Sequence, residues 1–197
     1  MNNEKIKLYF KAILQEMGEN PNREGLKETP DRVARMYKEL FRGYNLEQKP
    51  KITTFNNGQD GVTYDQMIID EGDFYSHCEH HMIPFFGRYW FAYIPNPKGK
   101  IIGLSKVARI VDYYAAKLQI QERLGQEIIN EIWNALANEG NEPLGMALVM
   151  RAKHLCKSMR GCKKEGWMTT NVFKGVFKDN KDNARQEFLN FVNNGGK

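Results

Sequence analysis

His77-Cys78-Glu79-His80-His81 gathers one thiol and three imidazoles into five consecutive positions, and His154-Leu155-Cys156 adds one more of each far downstream. Thiolate and neutral imidazole are the side chains zinc prefers. Cys78 and His81 stand three residues apart, a spacing that lets one tight turn aim both at a single ion, and Cys156 can close the set from a distant strand. All four histidines and two of the three cysteines fall in these two segments, so a metal site is the first reading. A Cys78–Cys156 disulfide would leave the imidazoles unexplained. Three ligands leave a position open for water, as in catalytic zinc sites, whereas Cys162 or another histidine as a fourth would make a closed structural site. Spare imidazoles beside a metal favour catalysis, because they can move protons.

Zinc lowers the pKa of bound water to about 7 and supplies hydroxide at neutral pH. Hydroxide with imidazole proton donors is equipment for opening an electrophilic C=N bond. Lys106, Arg109, Arg160, Arg32 and Arg35 offer cations for a triphosphate. Glu122 can accept two donors from a purine edge, the N–H and amino group of guanine being the matching pair. The residues alone therefore reach metal-assisted hydrolysis of an anionic heterocycle.

Several elements must hold these groups in place. Ile6, Tyr9, Phe10, Ile13, Leu14 and Met17 recur at helical spacing over 5–17. A second helix should begin with Thr29 as N-cap and Pro30 in its first turn. Its apolar stripe is Val33, Met36, Tyr37, Leu40 and Phe41, which leaves Arg32 and Arg35 facing away. Residues 43–62 read as a connecting loop. Extended segments at 63–76 and 85–95 flank the histidine-cysteine cluster, and the second is aromatic with little polar alternation, as a strand buried on both faces would be. Residues 104–118 are helical by pattern, with Ser105, Lys106 and Arg109 near a helix N-terminus that suits phosphate. Another helix spans 121–138 with Leu124, Ile128, Ile132 and Leu136 inward. Alternation over 145–156 puts His154 and Cys156 on one face. A last strand at 169–177 and a helix at 183–193 complete an α+β pattern with an antiparallel sheet.

Composition sets the outer bounds. A chain of 197 residues with 41% hydrophobic and 27% charged residues supports one soluble domain with a real core. The N-terminal residues lack signal-peptide character and no apolar run is long enough to span a membrane, which points to a cytoplasmic protein. A net charge of +5 is spread over 29 basic and 24 acidic residues. That balance suits a polyphosphate-bearing small molecule and gives no basic run for nucleic acid.

Read together, the motifs resemble the GTP cyclohydrolase I family. The likeness runs from about residue 20 to 191. It rests on Arg23-Glu24-Gly25-Leu26, Thr29-Pro30-Asp31-Arg32-Val33-Ala34 and Cys78-Glu79-His80-His81-Met82-Ile83-Pro84-Phe85. It continues through Gly103-Leu104-Ser105-Lys106-Val107-Ala108-Arg109 and Gln121-Glu122-Arg123-Leu124 to His154-Leu155-Cys156 and Met159-Arg160-Gly161. The resemblance implies Zn2+ on Cys78, His81 and Cys156, with His80 and His154 as acid–base groups and Ser105 serving the sugar rearrangement. It implies a guanine anchor at Gln121 and Glu122, and triphosphate contacts from Lys106, Arg109, Arg160, Arg32 and Arg35. His77 is expected to support the site from behind. The implied reaction opens the imidazole ring of GTP at C8, releases formate and yields 7,8-dihydroneopterin triphosphate. The implied fold is the tunnelling fold, an antiparallel sheet with two helices on one face. An N-terminal helical segment (1–48) would precede that catalytic domain (49–197). The implied assembly is a homodecamer with active sites between subunits.

The segment after Cys156 departs from the family pattern at Lys157, Ser158, Cys162 and Trp167. Two rivals follow. One is a zinc-stabilised nucleotide-binding protein with Cys162 as fourth ligand. The other is the nitrile reductase of queuosine synthesis, which shares the fold but needs a nucleophilic thiol without zinc.

Overall fold

The computed structural model describes residues 1–137, 140–180 and 183–194. Helices α1 (Asn3–Glu16) and α2 (Thr29–Leu40) come first, followed by 3₁₀ turns at Arg42–Tyr44 and Leu46–Gln48. Then come β1 (Thr54–Asn56), β2 (Ile68–Cys78), β3 (Pro84–Ile94), β4 (Lys100–Ile102), α3 (Ser105–Ala115), β5 (Leu118–Gln119) and α4 (Gln121–Leu136). The chain closes with β6 (Gly145–His154), the short α5 (Leu155–Ser158), β7 (Met168–Gly175), the short α6 (Val176–Asp179) and α7 (Ala184–Asn194). Among the described residues no helix is long and apolar enough to cross a membrane.

The main sheet has the order β5-β2-β3-β6-β7, antiparallel throughout except for the two-residue parallel pairing of β5 with β2. Helices α3 and α4 cover one face, where Leu124, Ile128, Ile132 and Leu136 are fully buried against Phe74, Phe91 and Leu148. Each such side chain contributes about 1.5–3 kcal/mol on burial. The other face is not bare. Phe177 and Phe188, from α6 and α7, cover Trp90, Ala92 and Val149. Over residues 89–93 strand β3 is therefore buried on both sides, which is why its aromatic run lacks alternation there. Gly87 is needed where β3 meets β6, since a Cβ there would run into the carbonyl oxygen of Arg151.

Several sequence expectations shift. Helix α2 takes Glu28 as its cap with no side-chain bond, so Thr29 stands inside the helix rather than at its cap. The strand expected from residue 63 begins at Ile68, because the Asn57 side chain bonds Tyr64 N–H and carbonyl and holds 57–64 as a loop. The loop expected over 43–62 contains β1, which pairs with β4. Strand β7 stops at Gly175, whose φ of +57° turns the chain so that Val176 N–H reaches the Leu144 carbonyl. Strand β6 ends at His154, so Cys156 belongs to α5 and strand alternation does not place it.

Candidate active site

The turn after β2 is built around Cys78. Its N–H donates to the Ile83 carbonyl at 2.9 Å, and its own carbonyl accepts Met82 N–H at 2.8 Å. That closure puts Met82 at φ +55°, an unfavourable conformation for a residue with a side chain. It also folds two histidines back over the buried Cys78, with Sγ 3.5 Å from His80 Nδ1 and 3.8 Å from His81 Nδ1. Glu79 within the turn is tied to Arg123 of α4, which also bonds the Leu118 carbonyl and Gln119 Oε1. The turn is thus braced against the first turn of α4.

Cys156 arrives from α5. One donor atom each from Cys78, His81 and Cys156 lie within 4.8 Å of one another. Burial, and then the neighbouring Cys78 thiol, push the Cys156 thiol up. A bound cation would favour both thiolates and offset that cost, so two sulfurs and an imidazole fit a zinc-type ion. Cys162 is exposed and its Sγ donates to the Lys157 carbonyl at 3.4 Å, outside the cluster. The donor set among the described residues is therefore three, with exposed His80 beside it.

His154 is held from two directions. Its ring stacks on Phe85 with centroids 4.5 Å apart and planes 3° from parallel. Its Nε2 lies 2.8 Å from Gln121 Oε1. The Gln121 amide nitrogen is spent on the Met150 carbonyl (2.9 Å), Thr170 Oγ1 (3.0 Å) and the Met168 carbonyl (3.3 Å). The amide oxygen must then face the imidazole, so Nε2 carries the hydrogen and Nδ1 keeps the lone pair. Burial lowers the His154 pKa, Glu122 opposes that shift, and Lys157 adds to it. Gln121, expected beside the guanine, is buried, with its amide oxygen on His154. It positions His154.

The remaining expected residues are distributed as follows. Glu122 is exposed one position past Gln121. Arg160 contacts His81 Nε2 and so sits on the cluster. His77 is buried against Phe41 at the end of α2, with ring centroids 5.2 Å apart and Nδ1 unpartnered, and burial lowers its pKa. Arg32 is exposed on α2, and Arg35 is paired with Asp31 at 2.9 Å. No hydrogen bond or ion pair among the described residues joins either to the cluster. Ser105, Lys106 and Arg109 mark the start of α3, whereas the Ala115 carbonyl at its far end accepts Ser76 Oγ beside the cluster. Along the helix axis Ser105 is about 15 Å, and Arg109 about 9 Å, from Ala115. Neither Phe85 nor the Glu79–Arg123 brace was foreseen from sequence, and only the tertiary register reveals them.

Fold and site together define an α+β protein whose three-ligand metal-type centre has an oriented histidine alongside. The family model for GTP cyclohydrolase I matches residues 6–193. A GTP cyclohydrolase 1 of Thermoanaerobacter pseudethanolicus is 45% identical over 191 residues, 96% of each chain. That of Caldanaerobacter subterraneus is 46% identical with the same coverage, and that of Streptococcus agalactiae is 42% identical over 98% of this chain and 99% of its own. The chain belongs to the GTP cyclohydrolase I family. Among solved structures, an archaeosine synthase QueF-Like in the apo form aligns with 54% of this chain and 92% of its own, at TM-score 0.40 and 14% identity.

Proposed function

We propose that this enzyme opens the imidazole ring of GTP at C8, releases formate and rearranges the remainder to 7,8-dihydroneopterin triphosphate, with zinc held by Cys78, His81 and Cys156. The observation that carries this reading is the convergence of those three donors within 4.8 Å beside a histidine whose tautomer is set by Gln121. When bound, zinc supplies the Lewis acidity that makes water a nucleophile at neutral pH. The chain's own residues supply the rest. His154 presents Nδ1 to the substrate while Nε2–H is committed to Gln121, so Nδ1 is where it takes up or gives a proton. His80, exposed at the mouth of the turn, is the second proton carrier. Glu122 accepts the N–H and amino donors of guanine. Arg160 anchors the triphosphate from the cluster side.

No hydrogen bond or ion pair among the described residues joins Ser105, Lys106 or Arg109 to the cluster of their own chain, and Ser105 stands a full helix length, about 15 Å, from the Ala115 end of α3. We therefore assign them to the site of a neighbouring copy, Ser105 for the sugar rearrangement and the two cations, with Arg32 and Arg35, for the triphosphate. That arrangement supports the expected decamer: sheets joined edge to edge into barrels in the tunnelling fold, five subunits per ring, two rings stacked. In it, residues 1–48 form the helical segment and 49–197 the catalytic domain of a cytoplasmic enzyme. Its product would enter pterin and folate or 7-deazapurine synthesis. The exposed position of Cys162 weighs against the closed-site alternative, and the two-thiol, one-imidazole set against the nitrile reductase.

The test is incubation of zinc-loaded protein with GTP, measuring formate and, after oxidation, fluorescent neopterin. Equal amounts of both are expected. Neither product from a zinc-replete oligomer would overturn the reading, and loss of zinc from Cys162→Ser would favour a closed structural site.

A further inference from the structure

On the sheet face away from α3 and α4, β3 and β6 bring three cations together. Arg88 is the direct cross-strand partner of Arg151, an unfavourable like-charge pairing. Lys153 follows two residues along on the same face, since side chains alternate and its neighbour His154 points to the catalytic side. Glu71 and Asp73 neutralise Arg88, at 3.1 and 3.6 Å. Arg151 and Lys153 have no carboxylate partner among the described residues.

Two indoles frame this charge. Trp167, which the family likeness does not explain, lies with its ring centroid 5.2 Å from both the Arg151 guanidinium carbon and Lys153 Nζ. It is nonetheless 49% exposed. Trp90 is 4% exposed, and its indole N–H is buried without an acceptor. An unpaired buried donor costs about 1–3 kcal/mol unless something supplies an acceptor. Arg88, Trp90, Arg151 and Trp167 line one open cavity of about 290 Å³. That volume lies near the lower limit of small-molecule sites, roughly 300 Å³.

We infer that this cavity is a second binding site, separate from the catalytic cluster, for a planar heteroaromatic ring bearing an anionic group. The half-exposed Trp167 indole stacks on the ring, and Arg151, which lines the cavity, receives the anion with Lys153 close by against the same indole. The catalytic reading does not depend on this site.

The probe is pterin-6-carboxylate, planar, anionic and fluorescent, titrated by equilibrium dialysis into zinc-loaded full-length Glu122→Gln protein to suppress binding at the guanine anchor. Binding is expected, and adding Trp167→Ala or Lys153→Met should weaken it by ~10-fold or more, the size of one charge-assisted contact. Uncharged 6-methylpterin should bind correspondingly worse. Trp167→Ala alone, at an exposed position, should leave GTP turnover intact. Absence of binding to the Glu122→Gln protein, or binding indifferent to Trp167, Lys153 and the probe's charge, would overturn the inference.

Discussion

The two ends of α3 differ in how much of a site one chain can build. At its C-terminal end, the groups around Cys78 are cross-braced: Gln121 holds His154, Arg123 holds Glu79, and Phe85 lies under the imidazole. At its N-terminal end, Ser105 and Arg109 are exposed, and Leu104 just before them is 76% exposed. A metal centre tolerates little slack in ligand geometry, and here three donors of one chain converge within an outer shell of hydrogen bonds. A triphosphate clamp works with long flexible cations and can be delivered by a partner. The contrast is between a braced cluster and an open helix start, and the function proposed above assigns that open start to the site of a neighbouring copy.

Variants can break each side of that contrast. The largest effect is expected at the cluster. Cys156→Ser should release the metal, measured by atomic absorption, and reduce activity by more than the ~100-fold typical of an outer-shell change. His154→Ala should keep the metal yet lose ~100–10,000-fold in turnover; full activity in a metal-replete variant would remove His154 from the chemistry. Gln121→Met should lower kcat by ~10–100-fold with little change in KM, because it frees the imidazole without touching substrate. A rise in KM alone would return Gln121 to the guanine anchor. At the other end, Arg109→Ala should act mainly through KM, raising it ~10-fold, with the metal content unchanged.

The smallest change tests how the N-terminal segment is fastened beneath the cluster. Gly43 N–H donates to the Ala116 carbonyl, and a Cβ on Gly43 would collide with the carbonyls of Tyr113 and Ala116. Gly43→Ala should therefore cost about 1–3 kcal/mol of stability, read as a lower melting temperature. An unchanged melting temperature would mean the segment is held elsewhere.

Much of this arrangement was legible in the sequence because its signals are local. Cys78 and His81 share one turn, and the helical stripe Leu124, Ile128, Ile132 and Leu136 is fully buried as its spacing requires. What escaped depends on distant register. Strands β4 and β5 are three and two residues long, too short for any periodicity. Alternation suggested that His154 and Cys156 project together, but the strand ends between them and Cys156 reaches the cluster from a helical turn. The family resemblance places Gln121 with Glu122 in the guanine anchor. The hold of Gln121 on His154 appears only when β6 and β7 bring the Met150 carbonyl and Thr170 to its amide.

The most direct measurement is subunit complementation. Cys156→Ser and Arg109→Ala chains, each of low activity alone when GTP is held well below the wild-type KM, would be unfolded, mixed in equal amounts, reassembled with zinc and assayed at that GTP concentration. Random mixing places an intact cluster against an intact clamp at about one quarter of the sites in a ring of head-to-tail interfaces. Recovery approaching that fraction of wild-type activity is the predicted result. Mixed oligomers no more active than the two parents would contradict it, and would require both halves of the site to come from one chain.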